Sequence, residues 1–346
     1  MTVRPVCSLL LLGLLAGCGQ SALNGLPDAG RVDAGAQDAG GSPDAGPTRD
    51  AGVASDAGPT SDGGPAAVDG GTWRTSIGNC WTDVACQRAL IISHGGDWDV
   101  TLNPPVPYES FTAFQRAYDG GADAVKIDLR MTADHVAVAV HSSPLSFYES
   151  LDCSGMYIEQ MTAAQVTQCH IFPSQETFQR VDTLLNWARG KVLVMLTVKL
   201  STDLAGGIST ALANQGQDYV FFETNPTDMQ VTIPDAGGWD QFHYVVNIGD
   251  ISDVSTMLRV NDPRAFAYEM TPTYVDAGTS DISALIAHTL HPAGVKSFVM
   301  SDKNFPTLQN HLDLFNEGFD IIMTYNLANA VTARIQVDTA RGISPP

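Results

Sequence analysis

The stretch DAVKIDLR, residues 123–130, sets Lys126 and Asp128 two places apart at the end of an apolar run. In a strand that spacing turns both side chains to one face. A cation so placed is a surface accident, a salt bridge inside a core, or the charge that holds an anionic substrate. Polar residues also close the other apolar runs: His94, Lys199, Glu223, Asn247, Glu269, and Asp302 with Lys303. An imidazole titrating near neutral pH beside fixed ammonium groups is equipment for acid–base chemistry on an anion. Glu223 and Glu269 are the one feature that would suit a glycoside hydrolase, which wants two suitably separated carboxylates.

These residues need elements to position them, and eight short apolar runs supply candidate strands: ALIIS, AVKIDL, VLVMLTVKL, YVFFE, FHYVVNI, AFAYEM, KSFVMS and DIIMTY. Amphipathic stretches between them predict helices over 109–121, 177–190, 280–294 and 305–318. Repeated strand–helix units in this number fit a closed parallel (β/α)8 barrel, the TIM barrel of the α/β class. Such barrels build their sites at the C-terminal ends of the strands, where the polar residues above fall. One piece interrupts the order: VAVAVHSSPL is a further extended run, followed by an excursion over 146–172 that contains Cys153 and Cys169.

The start of the chain is of another kind. MTVRPVCSLLLLGLLAGC has a basic start, an apolar run and small residues before Cys18, the make-up of a targeting segment. It resembles a bacterial lipoprotein lipobox, which implies a signal peptide over 1–17, acylation of Cys18 and export to the cell envelope. Gly19 lacks the aspartate of inner-membrane retention, which points to the outer membrane. Residues 18–72 repeat DAG and are built of Gly, Ala, Pro, Asp and Ser, so they read as a disordered acidic tether without a core. Residues 73–346 then form one barrel-sized domain. The formal net charge of −20 disfavours nucleic acid as a partner, because a polyanion needs a basic footprint. Of six cysteines, Cys7 leaves with the signal and Cys18 is the lipid site, leaving four. Their positions suggest Cys80–Cys86 and Cys153–Cys169, among three possible connectivities.

The run from ISHGG through YESFTAFQRAYDGGADAVKIDLRMTADHVAVAVHSSPL resembles the glycerophosphodiester phosphodiesterase family of phospholipase C-like phosphodiesterases. The resemblance implies a barrel and matches His94 to the family's first histidine and Glu109 to its helix-start glutamate. It matches Asp128 to the aspartate of Glu-x-Asp, His141 to the second histidine and Lys199 to the lysine of Glu-x-Lys. GFDIIMTYN is similar to the last family strand. The departures matter as much. Gly95 stands for a phosphate-contacting arginine, Lys126 and Thr197 for two metal-binding glutamates, and Ser142 for the aspartate after the second histidine.

The family would use calcium or magnesium, but only Asp128 of its carboxylate ligands remains, and one carboxylate beside an ammonium is a poor cage for a hard cation. The expectation is therefore a site without metal or other cofactor. In it Lys126 takes the cation's place, Asp128 fixes it, Lys199 adds charge, and His94 and His141 transfer protons. Glu109 orients a histidine, binds substrate hydroxyls, or starts a helix. The implied substrate is a small phosphodiester or a phospholipid head group. Hydrolysis, release of a cyclic phosphate, and a phosphoester-binding barrel without turnover are the three readings this leaves.

Overall fold

The computed structural model describes residues 80–226, 237–249, 251–270, 282–301 and 306–344. The expected signal peptide, Cys18, the tether, and Asp302 with Lys303 lie outside the described residues.

Nine strands form in chain order: β1 (Leu90–His94), β2 (Ala124–Met131), β3 (Ala137–Ala139), β4 (Leu193–Val198), β5 (Val220–Thr224), β6 (His243–Ile248), β7 (Ala265–Met270), β8 (Lys296–Met300) and β9 (Ile321–Thr324). All neighbours pair in parallel except β3, which returns antiparallel on the end of β2 with Leu129 opposite Ala139. Because β1 pairs with both β2 and β9, the eight parallel strands close into a barrel with β3 outside the ring. This is the (β/α)8 architecture the eight apolar runs predict.

Buried on both faces, the strands are apolar nearly throughout, as parallel strands covered by helices must be. Inward-pointing Leu90, Ile92, Ala124, Met195, Phe221, Val245, Ala267, Phe298, Ile321 and Met323 fill the barrel. Trp81 packs on Phe221 and Phe266 below them, its segment closed by a Cys80–Cys86 disulfide. Alternate residues such as Ile91, Val125, Val194 and Phe222 join the larger core against the helices. At the N-terminal ends of the strands, carboxylates hold backbone together. Asp123 accepts the Ile91 N–H and pairs with buried Arg334, and Asp320 accepts the Ser297 N–H.

Helices appear at Phe111–Asp119, Val181–Ala188 and Leu308–Glu317, inside three of the predicted ranges. The fourth range is helical but irregular: an α-helical turn at Ile282–Leu285 continues as a π-helical turn over Ile286–Leu290 and a 3-10 turn over His291–Ala293. Residues before Val181 are extended instead of helical, because Gln179 accepts the Ala139 N–H and Arg180 bridges to Val138 on β3. Among the described residues, the helices Leu204–Ala213, Ile251–Val260 and Leu327–Ala340 and the short Ala163–Val166 lie outside the predicted ranges. The excursion after β3 has its own small core around Val138, Ile158, Val166 and Phe178, and a Cys153–Cys169 disulfide.

Candidate active site

The barrel places the strand-end residues inside its C-terminal mouth. His94 is opposite Lys126 in the β1–β2 register, and Asp128, Thr197 and Glu223 lie side by side on β2, β4 and β5. Asn247 and Glu269 face each other in register on β6 and β7. The two-residue period of a strand turns all of them inward at the C-terminal mouth.

Asp128 is the hub, fully buried. Its Oδ1 receives the ammonium of Lys126 from the same strand and, at 2.7 Å, that of Lys199 from just past β4. Its Oδ2 accepts the Tyr108 hydroxyl at 3.0 Å, and Lys126 also donates to that hydroxyl at 3.3 Å. Burial would raise the Asp128 carboxyl, but the two ammonium groups outweigh it and hold the group far below the usual carboxylate range. Burial would likewise lower Lys126, and Asp128, Glu109 and Glu223 together more than offset it, so Lys126 stays charged. Two cations thus share one anion at the mouth.

Glu109 stands in left-handed backbone, φ 59°, just before the helix cap Ser110. Its carboxyl accepts the backbone N–H of Asp128 at 2.6 Å, so it fixes the strand end that carries the hub. Burial, followed by the neighbouring Asp128 charge, pushes it well above the usual carboxylate range. It is a positioning residue in this arrangement, with no hydrogen bond to a histidine.

His94 lies between two aromatic rings, with centroids 4.4 Å from Tyr325 and 5.4 Å from Tyr108. The Tyr325 hydroxyl is 3.4 Å from Nε2, while Nδ1 is buried without a hydrogen-bond partner. Burial and then the Lys126 charge press its pKa well below the ordinary value, which keeps the imidazole neutral. His141, on the turn after β3, is more open and meets Tyr108 edge to face, centroid to centroid 6.3 Å. Its Nδ1 is 3.2 Å from the Ser142 hydroxyl, and its pKa is also lowered, by partial burial and by Lys199. Tyr108 therefore neighbours both histidines. Other histidines are occupied elsewhere: His311 bridges Thr307 and Thr324, and His291 meets Asp320.

On the far side of the mouth, the Thr197 hydroxyl donates to Glu223 Oε2 and Asn247 donates to Oε1 at 3.1 Å. Glu269 is buried, its Oε2 unpartnered, and its carboxyl is pushed well up by burial and by Glu223. Thr197, Glu223, Thr224 and Asn247 line a cavity of about 190 Å³. A larger recess of about 720 Å³ lies outside the barrel beside Thr132, Arg180 and Asp203, away from these groups.

A divalent cation does not fit this donor set. Asp128 is already met by two ammonium groups and a tyrosine hydroxyl, Glu109 is committed to the Asp128 backbone N–H, and Glu223 to Thr197 and Asn247. Among the described residues, no group of three or more His, Cys, Asp or Glu side chains could hold a metal ion. Tyr108 and Tyr325 escaped the sequence reading. Tyr325 ends an apolar run and Tyr108 directly precedes Glu109, which is the signal each offered.

Residues 104–208 match the model of the glycerophosphoryl diester phosphodiesterase family. No curated protein matches the sequence. The barrel is similar to the crystal structure of a glycerophosphodiester phosphodiesterase from Agrobacterium tumefaciens, with TM-score 0.57 and 19% identity over 70% of this chain and 98% of that one. A glycerophosphoryl diester phosphodiesterase from Parabacteroides distasonis gives TM-score 0.59 and 15% identity over 75% and 92% of the two chains. An Oleispira antarctica phosphodiesterase, solved with the product sn-glycerol-3-phosphate, gives 0.56 and 16% over 72% and 98%. The matched segment carries Tyr108, Glu109, Lys126, Asp128, His141 and Lys199, the core of the site just described. Residues 104–208 thus resemble the glycerophosphoryl diester phosphodiesterase family, and the barrel as a whole has the fold of these solved phosphodiesterases.

Proposed function

We propose that the protein hydrolyses a phosphodiester in a small glycerophosphodiester or phospholipid head group by histidine acid–base catalysis without a metal ion. The observation that carries this reading is the convergence of the Lys126 and Lys199 ammonium groups on one oxygen of Asp128, beside a neutral His94. A phosphodiester transition state asks for positive charge on its non-bridging oxygens and for a base and an acid across the phosphorus. The two ammonium groups converge on one Asp128 oxygen, and a phosphate would be a further anion for them to meet. One imidazole takes a proton from water as its oxygen bonds to phosphorus. The other gives a proton to the alcohol oxygen as the P–O bond breaks. Each proton transfer of this kind is worth about 10²–10⁴ in rate.

The family-model match over residues 104–208 and the shared barrel fold support the reaction class, and the loss of carboxylates supports the replacement of a cation by lysine. An exported, lipid-anchored setting follows only if Cys18 is acylated, and belongs to the same proposal. Turnover of glycerophosphodiesters measured with and without chelator tests it: activity retained in chelator and lost in both His94→Ala and His141→Ala is expected. A strict calcium requirement would overturn the lysine argument. Binding without turnover would leave a phosphoester-binding barrel, and a cyclic phosphate seen by phosphorus NMR would make the enzyme a lyase.

A further inference from the structure

The excursion over 146–172 buries Ile158, Met161, Val166 and Ile171 in a core of its own, yet leaves Phe147, Tyr148, Leu151, Met156, Tyr157 and Phe172 exposed. Phe147, Tyr148 and Leu151 are 48%, 60% and 57% exposed, and the first two rings touch with centroids 4.1 Å apart, tilted by 46°. Side chains this large on a segment with a satisfied core mark a contact surface.

The segment is rigid by construction. The Cys153–Cys169 disulfide closes it, Leu145 and Met156 pair backbone to backbone, and Phe172 donates its N–H to the Glu149 carbonyl. It is also fixed to the site: the Glu149 carboxylate accepts the N–H of Ser142, next to His141, and the N–H and hydroxyl of Ser146. Val100 follows β1 and Leu200 follows β4, so these exposed apolar residues also sit on loops at the C-terminal mouth. A macromolecule docked across that rim would cover the mouth. A lipid whose head group enters the mouth while its chains stay outside would use rim and site together. Residues 146–172 carry Glu149, Asp152 and Glu159 and no Lys or Arg, which repels anionic lipid and suits an uncharged or zwitterionic surface.

We infer that this apolar rim seats the barrel on a zwitterionic lipid surface, so that the phosphodiester taken up at the mouth is that of a membrane phospholipid. The substrate part of this inference rests on the function proposed above; the surface part does not.

The experiment uses the full chain carrying Cys18→Ser, so that no acyl group at that position contributes, and phosphatidylcholine vesicles. Co-sedimentation should show binding that falls by about tenfold or more in Phe147→Ser/Tyr148→Ser/Leu151→Ser, with the far-ultraviolet circular dichroism kept. Turnover of soluble glycerophosphodiesters should be unchanged while turnover of vesicle phospholipid falls. If neither substrate is turned over, the proposed function fails, and the sedimentation result still decides the surface. Should the triple variant unfold, Tyr148→Ser and Leu151→Ser are judged separately by the same loss of binding. No binding by the parent, equal binding by folded variants, binding to anionic vesicles alone, or a change only in self-association would overturn the inference.

Discussion

A Cβ added to Gly95 would lie 2.0 Å from Cε2 of Tyr108, so the tyrosine ring fills the space into which a side chain at position 95 would project. The family resemblance puts a phosphate-contacting arginine at that position. Here the space goes to an aromatic ring whose hydroxyl joins Lys126 and Asp128, and the positive charge moves to the lysine. Removing the hydroxyl in Tyr108→Phe deletes a hydrogen bond to a charged group, worth about 1.5–3 kcal/mol. Turnover of a phosphodiester should fall by roughly 10–100-fold with the fold intact. Gly95→Arg should be destabilising in thermal unfolding, because its side chain meets the ring and its φ of +68° is left-handed. Tyr108→Ala in the same chain should relieve the collision but not the backbone strain.

Substituting the buried lysine tests whether it replaces a metal. In Lys126→Met, Asp128 keeps Lys199 but loses its nearer cation, and breaking a buried pair costs roughly 3–5 kcal/mol. A lower melting temperature is expected together with a fall in turnover of about 10²-fold or more. Lys126→Glu with Thr197→Glu should instead create an oxygen-rich cluster with Asp128, since Asp128 and Thr197 are register neighbours. Calorimetry should then detect calcium binding in the double variant and none in the parent. Tight calcium binding by the parent would remove the basis for a lysine-centred site.

The barrel was legible because each parallel strand is a short apolar run ended by a polar residue, a pattern the closed sheet imposes directly. Helices packed on it were less so. Leu204–Ala213 contains Gly206, where a Cβ would lie 2.6 Å from Met131, so close approach to β2 outweighs glycine's poor helix propensity. The closing helix buries Ala330, Ala333, Arg334 and Asp338, residues that give no strong apolar stripe. Lys126, Asp128 and Lys199 could be read from strand ends. The role of Tyr108 could not, because it depends on empty space left thirteen residues earlier by Gly95, in a segment with no regular period. The Glu109 contact was hidden for a similar reason: a residue at a helix start turns out to accept the backbone N–H of a strand.

The pH profile follows from both histidines being lowered. Burial and nearby ammonium groups favour neutral imidazole at each. A reaction needing one neutral and one protonated imidazole is therefore fastest in the free enzyme below the ordinary histidine value of about 6.5. The plot of kcat/KM against pH should peak on the acid side of that value and decline through neutrality as the acid loses its proton. Lys126→Met removes a positive neighbour of His94, so its pKa rises and the acidic limb should move toward neutral pH. The position of the limb, separate from the reduced rate, is the readout. An unmoved limb would show that Lys126 does not act on the titrating histidine.

Glu269 sets a different dependence, on stability. Its folded pKa is raised well above the ordinary value, first by burial and then by Glu223. The folded state therefore binds a proton more tightly than the unfolded chain. That stabilisation is complete below the unfolded value of about 4.3 and is lost as pH rises through the folded value. At neutral and higher pH the parent thus comes closer to burying an unpaired carboxylate. Glu269→Gln cannot ionise, so it should raise the melting temperature there, by about 2–4 °C for each kcal/mol gained in a domain of this size. The difference should shrink as pH falls toward 4. Asp128 runs the other way: its lowered pKa contributes stability above the unfolded value of about 3.9, lost only in stronger acid. Thermal melts of parent and Glu269→Gln across this range separate the two. A melting-temperature difference that stays constant with pH would assign Glu269 a packing role in place of an ionisation one.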